Sequence, residues 1–278
     1  MSEFNAIYAG LRALDLTDEK GFLCGRLLGD LGADVIKIER PRGDPSRNIG
    51  PFYRDIPDPE KSLYWFSYNA NKRGITLNIE SSDGKEILKR LVKTADVVIE
   101  SFSPGYMDSI GLGYDVLDEV NPNIIVTSIT PFGQKGPYAH FKSSDIVCMA
   151  MSGLVFLSGD EDRPPVRIGF PQAYLIGGVA AAEGTAMAHY YKQITGEGQH
   201  VDVSIREAII PFLATARQSW DIKKKILTRG GSRLSLLSAT AAKQLIIYPC
   251  KDGYIDFIIY GGSVGAKTNT RLAEWMES

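Results

Sequence analysis

Short runs of apolar residues alternate with stretches of helical spacing through the first half of the chain. Residues 11–16 and 34–39 read as buried strands, with a helix over 21–31 between them. Strand, helix and second apolar strand make the βαβ unit of an open parallel sheet. The pattern recurs, with a strand at 74–78, a helix at 82–94, a strand at 96–101 and a further apolar run at 124–128 that extends the sheet. Ser81, Ser82 and Asp83 offer capping oxygens ahead of Ile87, Leu88, Leu91 and Val92, which lie at helical spacing. The pattern predicts an α/β fold.

Between these units, 41–62 is rich in Pro, Gly, Arg and Asp and reads as a long irregular loop, a length usually functional or mobile. Ala and Gly dominate 173–191, which predicts a helix in close contact with a neighbour. A second long helix is expected over 204–225, followed by a polar, irregular 229–242 where a domain boundary falls. Residues 245–248 and 254–260 read as an antiparallel hairpin turning at Lys251-Asp252-Gly253. The last residues, from Leu272 to Ser278, have the spacing of an amphipathic helix without a cap.

Composition narrows the class of function. With 278 residues, 44% hydrophobic, and a formal charge of −2, the chain can bury a large core plus a smaller domain. Near-neutral charge without a basic block leaves no footprint for nucleic acid or a membrane surface, so small molecules and other subunits are the expected partners. The three cysteines, Cys24, Cys148 and Cys250, show no metal-ligand spacing, which predicts reduced thiols in a cytoplasmic protein. No basic leader precedes an apolar run at the N-terminus, and no segment approaches the ~20 apolar residues of a membrane span. His140, His189 and His200 lack acidic or thiol partners at motif spacing, so no metal site is expected.

Candidate chemistry gathers at strand ends. Arg40 follows the second strand, at the carboxyl edge where open α/β sheets bind ligands, and its guanidinium is suited to a bidentate phosphate clamp. A strand ending in Ser101-Phe102-Ser103-Pro104-Gly105 exposes backbone groups at the same edge. Arg42, Arg47 and Arg54 in the proline-rich loop read as solvated charges.

A colinear series of motifs carries a resemblance: Leu31-Gly32-Ala33-Asp34-Val35-Ile36-Lys37-Ile38-Glu39-Arg40-Pro41, Asn71-Lys72-Arg73-Gly74, Asp96-Val97-Val98-Ile99-Glu100, Gly133-Gln134-Lys135-Gly136-Pro137-Tyr138 and Thr195-Gly196-Glu197-Gly198-Gln199. Together they resemble the class III CoA-transferases of CaiB/BaiF type, the group that includes formyl-CoA, carnitine and benzylsuccinate CoA-transferases. The resemblance implies a large Rossmann-like domain, here 1–225, and a smaller α+β domain beginning at 226–278, with the family's C-terminal return to the large domain absent. It also implies interlocked pairs of chains and CoA thioesters as substrates, with no covalently bound cofactor. Arg40 would hold phosphate, Leu77 and Phe102 would lie near the adenosine, Ser101 would belong to the same CoA-binding set, and Lys142 would lie along the phosphate or pantetheine path. Glu80 and Ser109 stand where some relatives use basic residues.

The same resemblance places Tyr174 where the family carries an aspartate. That carboxylate attacks an acyl-CoA, releases CoA thiolate and forms an anhydride that the acceptor acid exchanges; a phenol, with a pKa near ~10, cannot form it. Asp145 matches a separate acidic position and is expected to organise structure. Asp18-Glu19-Lys20-Gly21-Phe22 replaces a small, Gln-containing loop. Three readings follow. The chain is a non-catalytic subunit beside an Asp-containing homologue, in a heteromer moving CoA from succinyl-CoA to an acid such as benzylsuccinate. Otherwise it is a homomeric racemase-like enzyme or lyase with His140 as a candidate acid or base, or a CoA-binding regulatory module.

Overall fold

The computed structural model describes residues 6–213, 216–231, 233–235 and 243–277. The strands are β1 (Arg12–Asp15), β2 (Asp34–Glu39), β3 (Arg73–Thr76), β4 (Val97–Glu100), β5 (Ile125–Thr130), β6 (Gln199–Ser204), β7 (Arg233–Ser235), β8 (Lys243–Leu245), β9 (Ile247–Cys250) and β10 (Gly253–Asp256). The helices are α1 (Phe22–Asp30), α2 (Leu63–Asn69), α3 (Ser82–Val92), α4 (Tyr106–Ser109), α5 (Tyr114–Val120), α6 (Asp145–Met151), α7 (Leu154–Leu157), α8 (Gln172–Thr195), α9 (Ile205–Ile209), α10 (Ala216–Lys223) and α11 (Gly262–Met276). Two compact units divide the chain, one from the described residues of 1–153 and 169–212, the other from those of 154–168 and 213–278. The sequence boundary at 225/226 therefore falls inside the second unit.

The first unit is built on a six-stranded sheet in the order β3-β2-β1-β4-β5-β6, all pairs parallel. Central strands are mostly apolar because helices cover both faces: Val97, Val98 and Ile99 of β4 are fully buried. At the two edges the demand relaxes, and β3 is exposed while β6 alternates. Ser81 caps α3 by accepting from the Gly84 amide at 3.1 Å, and Leu88 and Val92 enter the core. Ile87, read with them, points instead toward solvent at 42% exposure.

Small residues let α8 lie against its neighbours. A Cβ on Gly178 would stand 2.8 Å from the Leu23 Cβ of α1, and one on Gly177 would stand 2.7 Å from Ile205 Cγ1. The Thr-Gly-Glu-Gly-Gln motif has a physical cause too. Gly196 closes α8 at φ +79, and a Cβ on Gly198 would lie 2.0 Å from the carbonyl oxygen of Ile124. Gly198→Ala is expected to cost on the order of 1–3 kcal/mol by overpacking, read as a lower urea midpoint, with Gly196→Ala losing about 1–2 kcal/mol from its left-handed backbone.

Several expectations are corrected. The helix read over 204–225 is not continuous: β6 runs to Ser204, and α9 gives way to a 3-10 turn at Ile210–Phe212. Pro211 sits in that turn and has no amide proton to continue the helical ladder. The loop 41–62 carries 3-10 turns at Pro45–Asn48 and Tyr53–Asp55. In the second unit β9 and β10 pair antiparallel with Cys250 opposite Gly253, so the turn is Lys251-Asp252 alone. Within the polar stretch 229–242, Arg233–Ser235 forms a strand paired with β8, and 232 and 236–242 lie outside the described residues. The last helix begins at Gly262, ahead of the predicted Leu272. No helix among the described residues is long and apolar enough to cross a membrane.

Candidate functional site

The strand order reverses between β1 and β4, and the loops leaving their carboxyl ends part there to leave a crevice. A cleft of about 770 Å³ occupies this edge, lined after β1 by Leu16, Thr17 and Asp18, after β2 by Arg40, Pro41 and Arg42, after β3 by Leu77 and Glu80, and after β4 by Ser101, Phe102 and Tyr106. Four residues singled out from sequence, Arg40, Leu77, Ser101 and Phe102, meet here although they come from three different loops. Lys142 and Tyr174 are not among its lining residues. The Phe102 and Tyr106 rings stand 4.8 Å apart, and Tyr106 donates its hydroxyl to Glu80 at 2.8 Å.

The loop arginines differ in role. Arg47 is not a solvated charge: it holds Glu39 through two hydrogen bonds of 2.7 and 2.8 Å and lies 4.1 Å over the Trp65 ring. Burial alone would raise the Glu39 carboxyl, but Arg47 and the Asp44 amide hold it below its usual range. Arg40 is exposed and spends its Nε on the Gly43 carbonyl at 3.2 Å. Among the described residues no carboxylate forms an ion pair with Arg40 or Arg42, so both cations remain available to an anionic ligand.

Behind the cleft lies a buried charge cluster that sequence reasoning missed. Asp15 at the end of β1 is fully buried and accepts from Lys72 at 2.7 Å, Lys37 at 3.4 Å, and the Thr17 amide and hydroxyl at 2.9 and 2.6 Å. Burial pushes the carboxyl up, but the two ammonium groups outweigh it and hold Asp15 at about 2. Burial likewise depresses Lys72, opposed by Asp15. The cluster fixes the start of the β1–α1 turn, since Lys37 also donates to the Thr17 carbonyl. The available signal was Lys37 inside the apolar Val35-Ile36-Lys37-Ile38 strand.

Tyr174 sits in the first turn of α8, half-buried. The preceding Pro171 gives no side-chain cap, and Asp145, at the start of α6, caps the helix in its place, accepting from the Ala173 and Tyr174 amides at 2.8 and 3.3 Å. The β1–α1 turn brings Glu19 to the same place, while its neighbour Asp18 is tied to the end of β4, accepting from the Ser101 hydroxyl at 2.8 Å. Burial, then the negative charge of Glu19, pushes the Tyr174 phenol well above its ordinary range, and Tyr64 shifts the same way. Burial and Asp18 raise Glu19 itself. The surroundings thus disfavour the phenolate.

A second cavity of about 350 Å³ at the β4, β5 and β6 ends brings together Glu100, Ser128, His140 and His200. Ser128 Oγ and His200 Nε2 lie 2.9 Å apart, and Glu100 accepts from the Phe102 amide at 2.7 Å. Burial raises Glu100 to about 7 against the hydrogen bonds from Ser128 and Phe102. Among the described residues no group of three His, Cys, Asp or Glu side chains is placed to hold a metal ion.

Comparison with known proteins agrees with this geometry. A family model described as CoA-transferase family III matches residues 8–274. The chain is 40% identical over 271 residues to the BbsE subunit of succinyl-CoA:(R)-benzylsuccinate CoA-transferase from Thauera aromatica, covering 98% of this chain and 64% of that protein. It is 42% identical over 202 residues to formyl-CoA:oxalate CoA-transferase from Streptomyces coelicolor, covering 72% of this chain and 48% of the relative. The crystal structure of a CaiB/BaiF family protein from Brucella suis superposes with a TM-score of 0.83 at 34% identity, covering 97% of this chain and 70% of that one. The chain thus spans about half to two thirds of the length of these two curated relatives. A parallel sheet with a ligand-sized cleft at its switch point, and sequence similarity along nearly the whole chain, place it in CoA-transferase family III.

Proposed function

We propose that this chain is the non-catalytic subunit of a cytoplasmic class III CoA-transferase, working beside a homologous subunit that carries the acyl-accepting aspartate. The complex moves CoA from an acyl-CoA such as succinyl-CoA to an organic acid such as benzylsuccinate. One observation supports the reading: Tyr174, which the resemblance sets at the position of the family nucleophile, is a phenol that burial and Glu19 push away from ionisation. Attack on a thioester carbonyl needs an ionised oxygen, and none is supplied at this position. Glu19 does not replace it on this reading, because it comes from the β1–α1 turn and not from the helix position that carries the family carboxylate.

The substrate class and the partner are argued from the relatives, above all the benzylsuccinate transferase subunit matched over nearly the whole chain. Support for a partner also comes from α8, which exposes Met187, Tyr190 and Ile194 at 74%, 67% and 68% on one helical face, an apolar strip of the kind subunit contacts cover. In this reading Arg40, with Leu77, Ser101 and Phe102, holds the nucleotide end of CoA, and Lys142 lies along the route of its chain.

The test is co-expression with an Asp-containing homologue, purification through a tag on this chain, and a succinyl-CoA-dependent transfer assay. Co-purification is expected, with activity lost on replacing the partner's aspartate and unchanged in Tyr174→Phe. Transfer by this chain alone that disappears in Tyr174→Phe would overturn the reading.

A further inference from the structure

Among the described residues that line the switch-point cleft, the carboxylates Asp18, Glu39, Asp44 and Glu80 outnumber the guanidinium groups Arg40 and Arg42. A cleft for an anionic ligand needs those carboxylates engaged, since a loose one pairs with an arginine or repels the ligand. Asp18 is paired with Lys20, Asp44 caps the turn that follows it by accepting from the Ser46 amide at 2.8 Å, and Glu80 accepts the Tyr106 hydroxyl at 2.8 Å. Glu39 directly precedes Arg40 in the chain, so how it is held matters most for that cation.

Both Glu39 oxygens are engaged. Oε1 accepts from Arg47 Nη2 at 2.8 Å, and Oε2 accepts from Arg47 Nε at 2.7 Å and from the Asp44 amide at 3.0 Å. Arg47 is itself not among the lining residues. Its guanidinium lies 4.1 Å over the ring of the buried Trp65, whose amide donates to Ser62 Oγ at 3.1 Å and whose ring meets Phe22 edge-on at 5.3 Å. Arg47 Nη1 reaches Glu60 at 3.1 Å. A planar fork bonded twice to one carboxylate and laid on a buried ring is a fixed anchor, which a lysine could not reproduce.

We propose that Arg47 is a positioning residue of this cleft: by holding Glu39 it keeps that carboxylate off Arg40 and Arg42 and so leaves both cations to an anionic ligand, the nucleotide end of a CoA thioester. The proposal rests on the reading of the cleft as a CoA site and adds the residue that keeps its cations free. Arg47 acts on the ligand only through Glu39, so removing Arg47 does harm because Glu39 is left charged and loose.

The experiment is calorimetric titration of the full chain with CoA at fixed ionic strength, each variant being shown to be folded by circular dichroism. Arg47→Ala is expected to weaken CoA binding roughly tenfold, the scale of one charge pair at a partly solvated site. Adding Glu39→Gln to Arg47→Ala removes the loose anion and should recover most of the loss. A merely structural role for Arg47 predicts the reverse, a double variant no better than the single one. Should Arg47→Ala not fold, Arg47→Lys keeps the charge without the fork and should weaken binding about threefold, again recovered by Glu39→Gln. Affinity unmoved by the Arg47 change, or a loss that Glu39→Gln does not recover, overturns the proposal while CoA binding that is lost in Arg40→Ala leaves the CoA-site reading standing. No CoA binding by the folded, unmodified chain overturns both.

Discussion

Asp15→Asn is expected to destabilise the protein by on the order of 3–5 kcal/mol at neutral pH, the scale of breaking a buried ion pair by removing one charge. The change keeps the shape and an acceptor for Thr17 but leaves Lys37 and Lys72 facing each other with no anion between them. Both are almost fully buried, so water cannot take over that role. Chemical denaturation would read the loss. The pH dependence identifies its cause. With Asp15 at about 2, below its usual 3.8, its contribution is complete above pH 3.8 and disappears as pH falls to 2. In Asp15→Asn that acid limb should vanish. Lys72, already depressed by burial, should fall further, so the variant's folded state binds fewer protons than its unfolded state and its stability should climb with alkaline pH. Replacing Asp15 with Leu and both lysines with Met should recover most of the loss, since an apolar cluster of similar volume needs no charge compensation.

Glu100→Gln should change the pH profile in the opposite sense. Burial holds the Glu100 carboxyl at about 7 instead of 4.5, so between those values the folded state binds more protons than the unfolded chain. Wild-type stability should therefore be greatest, as far as this group is concerned, below pH 4.5 and decline as pH rises to about 7, by on the order of 3 kcal/mol at 1.36 kcal/mol per unit. Glutamine can still accept from the Phe102 amide and does not titrate, so the variant should gain on wild type across that window. His200, lowered by burial, gives a slope of opposite sign, and the difference between the two proteins cancels it. A difference curve flat from pH 4 to 8 would show that Glu100 is not held neutral.

Much of the first unit was legible along the chain. A strand covered by helices on both faces is apolar along most of its length, so β1, β2, β4 and β5 stand out as runs such as Val97-Val98-Ile99, with the buried polar side chains Asp15, Lys37, Glu100 and Thr127 as exceptions that need partners. The edge strand β6 has no such requirement on its outer side, and its alternating Gln199–Ser204 carried no strand prediction. Tyr174 was legible as an identity. The further upward push on its phenol was not, because Glu19 and Asp145 reach it through packing of the β1–α1 turn and α6 against the start of α8.

The order 3-2-1-4-5-6 belongs to tertiary structure alone, since local periodicity says that strands exist and nothing about which are neighbours. That order opens the cleft and brings Arg40 and Glu80 to its lining. It also joins Asp15 to Lys72 across 57 residues, a pairing for which no short-range signal exists. What the sequence determined by itself was the set of chemical groups and the local elements that carry them, because burial and capping act over a few neighbouring residues. Which groups share a dielectric and a charge environment was decided only by the packed sheet, because charges act through space and only the packed fold brings distant residues together.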